Sequence, residues 1–369
     1  MTGFVGRAPR IGIDGRGLMG SRSGVGRYIF EMCRMFDTML PHAQFFVFSP
    51  VEVEMPVISE RWHNVVEPSH RARSLKPVIW LKTRCGVLCA QQRLDVFWGT
   101  ATFLPPLPRT VRTVVTVHDL NHVYAPDTMS ATHLWANRLF FASDVRRADR
   151  VVSVSHGTAK RLNERYGVPS QVASPGVDER FLRAQADPAA VANFLGLASP
   201  YVLSVASQEP RKNLHLVVDA FLELQASGVL KGHRLALIGG PGWNNRSLEE
   251  LIRHNATRGV VRLGYVDDAL LPLAYATADL FVFPSRYEGF GIPVAEAVAA
   301  GTRVVASDLP ELREAGGEGV RYVTPEAAAL TEAIKEELAA PAPVARRIQH
   351  DWSAGARILV SQITELLGS

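Results

Sequence analysis

The sequence predicts two doubly wound α/β domains, and three observations carry that prediction. Short apolar, β-rich runs alternate with longer helix-patterned stretches along nearly the whole chain. The alternation restarts near residue 200, after an Ala/Pro-rich stretch, "RAQADPAAVANFLGLASP", that carries no strand. The 369 residues also exceed what one ordinary hydrophobic core organises. Strands alternating with helices build βαβ units and a parallel sheet buried on both faces, so each strand reads as a continuous apolar run.

In the first half, "RIGIDG" reads as a strand and "GRYIFEMCRMF" as a helix. The strands "QFFVFSP", "LDVFWG", "RTVVTVHDL" and "DRVVSVS" follow, each ending in a polar or glycine signal. In the second half, "YVLSVAS", "RLALIGGPG", "GVVRLGYV", "ADLFVFPS", "TRVVAS" and "GVRYVTP" are strands, with helices such as "NLHLVVDAFLELQAS" between them. The reading places one domain over 1–180 and a second over 181–352. A terminal helix over 353–369, with Ile358, Ile363 and Leu366 or Leu367 at helical intervals after Trp352, packs on the second domain or crosses back to the first. In doubly wound sheets ligands bind beyond the carboxyl ends of the strands, so two facing domains imply a central cleft.

Composition narrows the class. A hydrophobic fraction of 47% and a charged fraction of 21% belong to a folded globular protein. The net charge of +4 points weakly to anionic partners and leaves nucleic acid, acidic lipid and phosphorylated substrates open. Three cysteines form no even framework, which suits a reducing compartment. Cys85 and Cys89 without neighbouring histidines make a poor metal site. No apolar h-region precedes "RIGIDG", and no run reaches the roughly 20 residues of a membrane span.

Four stretches carry chemistry. In "SRYEGFGIPVAEAVAAG" (285–301) a strand gives way to a helix with Pro293 in its first turn, Glu288 in the loop and Glu296 in the helix. The glycines let backbone approach a ligand, and amides at a helix start suit an anion. Spacing alone equally allows a helix-dipole carboxylate and a solvated loop charge. In "SVASQEPRKNL" (204–214) Arg211 and Lys212 stand at a strand-to-helix turn, where a guanidinium fork, a point charge and amide donors make an anion site. Two solvated basic residues are the competing reading. In "GLMGSRSGVGRY" (17–28) Gly24 and Gly26 lie between the first strand and first helix and read as a glycine hinge approaching phosphates. Ile29 breaks the full dinucleotide fingerprint. In "VVTVHDL" His118 closes an apolar strand, either as a structural histidine or as a site residue at the sheet's carboxyl edge.

These elements, in this order over nearly the whole chain, resemble the GT-B glycosyltransferases of family 4, the retaining nucleotide-sugar transferases. Glu288-x7-Glu296 within "YEGFGIPVAEA" is the most specific part, followed by "PRKN" and "VHDL". The segment "SPGVD" departs from the family in having Pro175 where Asn is usual, which affects linker detail. The resemblance implies that Arg211 and Lys212 bind the donor diphosphate, Glu296 the ribose hydroxyls and Glu288 the transferred sugar. It implies further that backbone amides of Phe290, Gly291 and Ile292 assist, and that Gly24 and Gly26 bring the N-terminal loop to the phosphates. His118 then lies near the anomeric carbon, and Tyr265 and Val266 flank the nucleobase. It also implies retention of configuration, no metal or other cofactor and no nucleic-acid partner, with Asp267 and Asp268 starting a helix instead of holding a metal. The N-terminal "RIGIDGRGLMGSRSGVGRY" looks like O-antigen mannosyltransferases, which implies GDP-mannose as donor. The acceptor is then a lipid-linked or other oligosaccharide of bacterial surface-polysaccharide synthesis, at the cytoplasmic face. Segment 71–93, mixing Arg71, Arg73, Lys76, Lys82 and Arg84 with Val78, Ile79, Trp80 and Leu81, either rests on an anionic membrane or packs as an amphipathic helix on its own domain. A sugar-nucleotide epimerase and a non-catalytic module of the same fold are the alternatives.

Overall fold

The computed structural model describes residues 7–20, 23–243, 245–341 and 350–368. Two compact units emerge. The first comprises 1–120, 132–176 and 352–369, and the second 121–131 and 177–351.

The first unit is built on β1 (Arg10–Asp14), β2 (Gln44–Ser49), β3 (Trp62–Val66), β4 (Val96–Gly99), β5 (Arg112–Val117), β6 (Arg150–Ser153) and β7 (Gln171–Val172). They form one parallel sheet in the order β3-β2-β1-β4-β5-β6-β7. The second unit holds β8 (Tyr201–Val205), β9 (Arg234–Ile238), β10 (Val260–Gly264), β11 (Leu280–Phe283), β12 (Val304–Ser307) and β13 (Arg321–Val323). Their order is β10-β9-β8-β11-β12-β13, again all parallel. Both orders double back about the first strand, the doubly wound pattern expected. Central strands such as "VFWG", "LFVF" and "VVAS" are buried at every position, because helices cover both faces.

Two strands escape the apolar pattern. β3 carries His63 and Asn64 and is fully buried only at Trp62, and β7 has only two residues; both lie at sheet edges, where one side of the backbone faces solvent.

The helix Trp352–Leu367 belongs to the first unit. It buries Trp352, Ala356, Leu359, Ile363 and Leu366, so Leu359 and not Ile358 faces inward. Trp352 meets Tyr28 of the helix Gly24–Met39 at 6.2 Å between ring centroids. Gly355 lies so close to the Ser174 carbonyl that a Cβ would sit 2.2 Å from it, which lets the helix seat against the backbone.

Within segment 71–93 an unbroken helical run from Pro77 to Gln91, with a π-helical stretch over Leu81–Cys85, packs on its own unit. Trp80 and Leu81 are fully buried. Lys82 is paired with the buried Asp144, and Arg84 with Glu67, which also accepts from Trp80 Nε1 at 3.0 Å. Trp80, Leu81, Lys82 and Arg84 of the strip are thereby engaged within the unit. No described helix is long and apolar enough to cross one.

Candidate active site

At the carboxyl edge of the second unit's sheet, two loops close on each other. After β8 the turn Pro210–Lys212 delivers Arg211 and Lys212, and Asn213, at φ 55°, starts the helix Leu214–Ala226. After neighbouring β11 comes the loop carrying Arg286, Tyr287 and Glu288. The Arg286 amide donates to the Arg211 carbonyl at 2.9 Å. In return Arg211 Nη1 donates to the Tyr287 carbonyl at 2.7 Å and forms an ion pair with Glu288 Oε2 at 2.8 Å. Lys212 Nζ reaches Glu288 Oε1 at 2.6 Å and lies 5.0 Å from the Phe283 ring centroid. Glu209 approaches Arg211 Nη2 at 3.6 Å.

Sequence spacing does not show that Glu288 holds both cations. The carboxylate is 6% exposed, and burial on its own would raise its pKa. Arg211 and then Lys212 outweigh that and hold it at about 2. Burial lowers the Lys212 ammonium, Arg211 lowers it further, and Glu288 offsets part of the effect. Two cations thus share a desolvated pocket with Glu288 between them and Glu209 beside Arg211, and an incoming polyanion would compete with these carboxylates for the cations.

Glu296 lies in the helix Ile292–Ala299 and is 3% exposed. It accepts from Tyr275 Oη at 3.2 Å, a partner on another helix that no spacing argument identifies. Gly291 caps this helix at φ 105°, a region that favours glycine. A Cβ there would also meet Leu312 Cδ2 at 2.4 Å. Pro293 occupies the first turn as the sequence suggests. The Phe290 side chain is buried edge-on against His350, so only its backbone is available for binding, as is true of Gly291. Phe290, Gly291 and Ile292 place their amides at a helix start, where N–H groups lack intrahelical acceptors. Of the pair assigned to the nucleobase, Tyr265 is 56% exposed just past β10, whereas Val266 is buried. Asp267 forms a turn ahead of the helix Leu271–Thr277, its Oδ1 accepting from the Ala269 amide at 2.8 Å.

The remaining predicted residues lie in the first unit. His118 follows β5, and its Nε2 lies 2.7 Å from the Thr100 carbonyl oxygen. A carbonyl only accepts, so Nε2 carries the proton and Nδ1 is left as an acceptor. Burial lowers the pKa of His118, against smaller opposing effects of that hydrogen bond and Asp119, which favours the neutral ring. Tyr28 packs edge-on against it at 5.2 Å.

Gly24 and Gly26 require a correction. They are not a hinge in a loop but the first turn of the helix Gly24–Met39, capped by Ser23, whose hydroxyl accepts from the Gly26 amide at 3.2 Å. Neither has the positive φ of a hinge glycine. Gly26 is instead required by packing: a Cβ would sit 2.5 Å from the Gly17 carbonyl oxygen. The structure therefore brings Arg211, Lys212 and Glu288 together. It also shows Tyr275, the Tyr287 carbonyl and Glu209 as partners the motifs do not mark. Among the described residues no group of three His, Cys, Asp or Glu side chains could hold a metal ion.

Comparison with known proteins agrees with this architecture. The model described as Glycosyltransferase Family 4 matches residues 22–181, and that described as Glycosyl transferases group 1 matches 199–339. O-antigen chain mannosyltransferase B of Escherichia coli is 40% identical over 119 residues, 32% of this chain but only 31% of that protein. O-antigen chain mannosyltransferase RfbU of Salmonella typhimurium is 25% identical over 274 residues, 71% of each chain. Among solved structures, sucrose-phosphate synthase from Thermosynechococcus elongatus superposes with a TM-score of 0.77 at 20% identity, covering 98% of this chain and all of that one. With one family model on each half and two parallel-sheet units in this order, the chain belongs to the family 4 glycosyltransferases of the GT-B fold.

Proposed function

We propose that this glycosyltransferase moves a hexose, mannose from GDP-mannose, to a lipid-linked or other oligosaccharide acceptor of bacterial surface-polysaccharide synthesis, with retention of configuration. One observation carries the donor part: Arg211 and Lys212 converge on a single buried carboxylate at the carboxyl edge of the second unit's sheet. Breaking a sugar–phosphate bond builds negative charge on the leaving diphosphate, and fixed cations in a desolvated pocket are suited to stabilise it. The choice of mannose follows the similarity to O-antigen chain mannosyltransferases.

In this reading the diphosphate takes Arg211 and Lys212 from Glu288. The freed carboxylate then accepts from hydroxyls of the sugar, while Glu296, steadied by Tyr275, accepts from the ribose. Tyr265 flanks the base. His118, a neutral ring with Nδ1 as acceptor, takes a hydrogen bond from a sugar hydroxyl and moves no proton. The acceptor hydroxyl attacks on the face the diphosphate leaves, and the departing phosphate oxygen receives the proton. The two cations supply the stabilisation for which other transferases use a metal, and we propose that none is required. A lipid-linked acceptor would place the enzyme at the inner face of the plasma membrane.

The test is a panel of GDP-, UDP- and dTDP-linked hexoses read by thermal stabilisation, because a ligand of the folded state raises its melting temperature. Transfer to an oligosaccharide acceptor is then analysed by NMR of the new linkage. GDP-mannose should give the largest shift and an axial, retained linkage. Stabilisation by UDP- or dTDP-sugars alone overturns the donor assignment, and an inverted linkage overturns retention.

A further inference from the structure

The segment Asn121–Ala131 follows shortly after β5 and His118, yet it belongs to the second unit. Three of its contacts there fall on the two loops beside the Arg211–Lys212 turn. Tyr124 stacks on Tyr287, with ring centroids 5.7 Å apart and planes 18° from parallel. Asp127 pairs with Arg286 at 2.9 Å. The Thr128 carbonyl accepts from Trp243 Nε1 at 2.8 Å.

Each partner connects to the charged cluster within a residue or two. The carbonyl of Tyr287 fixes the Arg211 guanidinium, and the next residue is Glu288. The backbone of Arg286 is hydrogen-bonded to that of Arg211. Trp243 follows Gly242, which lies against the Gln208 carbonyl so closely that a Cβ would sit 2.3 Å away. The Gln208 amide in turn donates to the Gly240 carbonyl at 3.1 Å. Residues 124–128 therefore grip the loop on one side of the cation turn, through Arg286 and Tyr287, and the loop on the other, through Trp243.

We propose that Asn121–Ala131 is a positioning strap for the donor-phosphate site, with Tyr124 as its central residue. It acts through Tyr287 and Trp243 and touches no phosphate itself. The inference rests on the reading of Arg211 and Lys212 as the diphosphate site, and it adds that this site is set by a segment outside the second unit's main run of chain. The stack is suited to the task because it joins an exposed ring, Tyr124 at 41%, to a buried one, Tyr287 at 3%. Losing the outer ring thus unclamps the loop without opening a cavity in the core.

Two measurements on the full chain test it. One is calorimetric affinity for inorganic pyrophosphate; the other is hydrogen–deuterium exchange over residues 285–289. Tyr124→Ala should weaken pyrophosphate binding about three- to tenfold, the loss expected when a preordered side-chain set must be ordered on binding. It should also speed exchange in 285–289, whereas Tyr124→Phe, which keeps the stack, should match the parent in both. Arg286→Ala, at an exposed position, should give a smaller effect in the same direction. Parental affinity in Tyr124→Ala, with Lys212→Ala still losing it, overturns the strap and leaves the donor reading standing. Pyrophosphate binding that Lys212→Ala leaves untouched, or that the parent lacks, overturns the donor reading and the strap with it.

Discussion

The two sheets end in different chemistry. At the carboxyl edge of the second, Arg211, Lys212 and Glu288 form a desolvated charged cluster held by short ion pairs. At the same edge of the first, the corresponding group is His118, tied to the Thr100 carbonyl and held neutral by burial, beside a helix start whose glycine is required for packing. One doubly wound plan thus ends in two cations sharing a carboxylate in one copy, and in a histidine acceptor beside a self-contained Asp14–Arg16 ion pair in the other. Charge costs stability when buried, and in the second unit two cations bear that cost side by side.

The sharpest way to break that comparison is to remove a cation. Lys212→Ala should lower transfer by about 100- to 1,000-fold, the loss typical of one donor to a developing anion. The melting temperature should hold or rise slightly, since Arg211 repulsion is relieved and Glu288 keeps the guanidinium. Transfer rates and a thermal melt check this together; near-parental transfer would mean that the second unit's cluster is structural.

The next effect lies in the first unit. Gly26→Ala should destabilise by about 1–3 kcal/mol, because the methyl must displace the Gly17 carbonyl or the helix itself. Gly24→Ala, at an exposed position of the same turn, should be near neutral or mildly stabilising, as alanine favours helix. Denaturant unfolding of both variants decides it. Equal losses would return these glycines to a shared loop role.

The smallest effect is in pH dependence. The Glu288 carboxyl is depressed from 4.5 to about 2. Its contribution is therefore complete above pH 4.5 and disappears as pH falls through about 2. The stability difference between the parent and Glu288→Gln should shrink over that interval. His118 is lowered from 6.5, so kcat/KM should show no limb from it at or above pH 6.5. A parallel pair of acid-unfolding curves, or a protonation limb near neutrality, would erase the contrast between the sheets.

Much of this was legible in the sequence for one physical reason. Strands buried on both faces must be apolar throughout, so "LFVF" and "VVAS" announce themselves, and residues just after such strands must gather at one edge. That rule puts Arg211, Lys212 and Glu288 at one edge, and the pairing of β8 with β11 brings them into contact. Edge strand β3 was hidden because His63 and Asn64 interrupt its pattern. The strap was hidden because Tyr124 and Asp127 meet partners more than 150 residues away. Tyr275 was hidden because a hydroxyl reaching Glu296 from another helix leaves no periodicity. The helical state of Gly24 and Gly26 was readable in part: Ser23 is a good N-cap, but two glycines in the first turn argue locally against helix.

The return of Trp352–Leu367 to the first unit bears on how the protein is made. Its 16 residues complete a core begun by Tyr28 and Met32, yet the whole second unit is synthesised in between. At ordinary ribosomal speeds that interval is on the order of ten to thirty seconds. During it the inner face of the helix Gly24–Met39 lacks its partner while the second unit, whose own chain is nearly finished, is free to fold. The order of completion on the ribosome is then the reverse of the order in sequence, and the apolar groove left waiting on the first unit is where a chaperone would be needed.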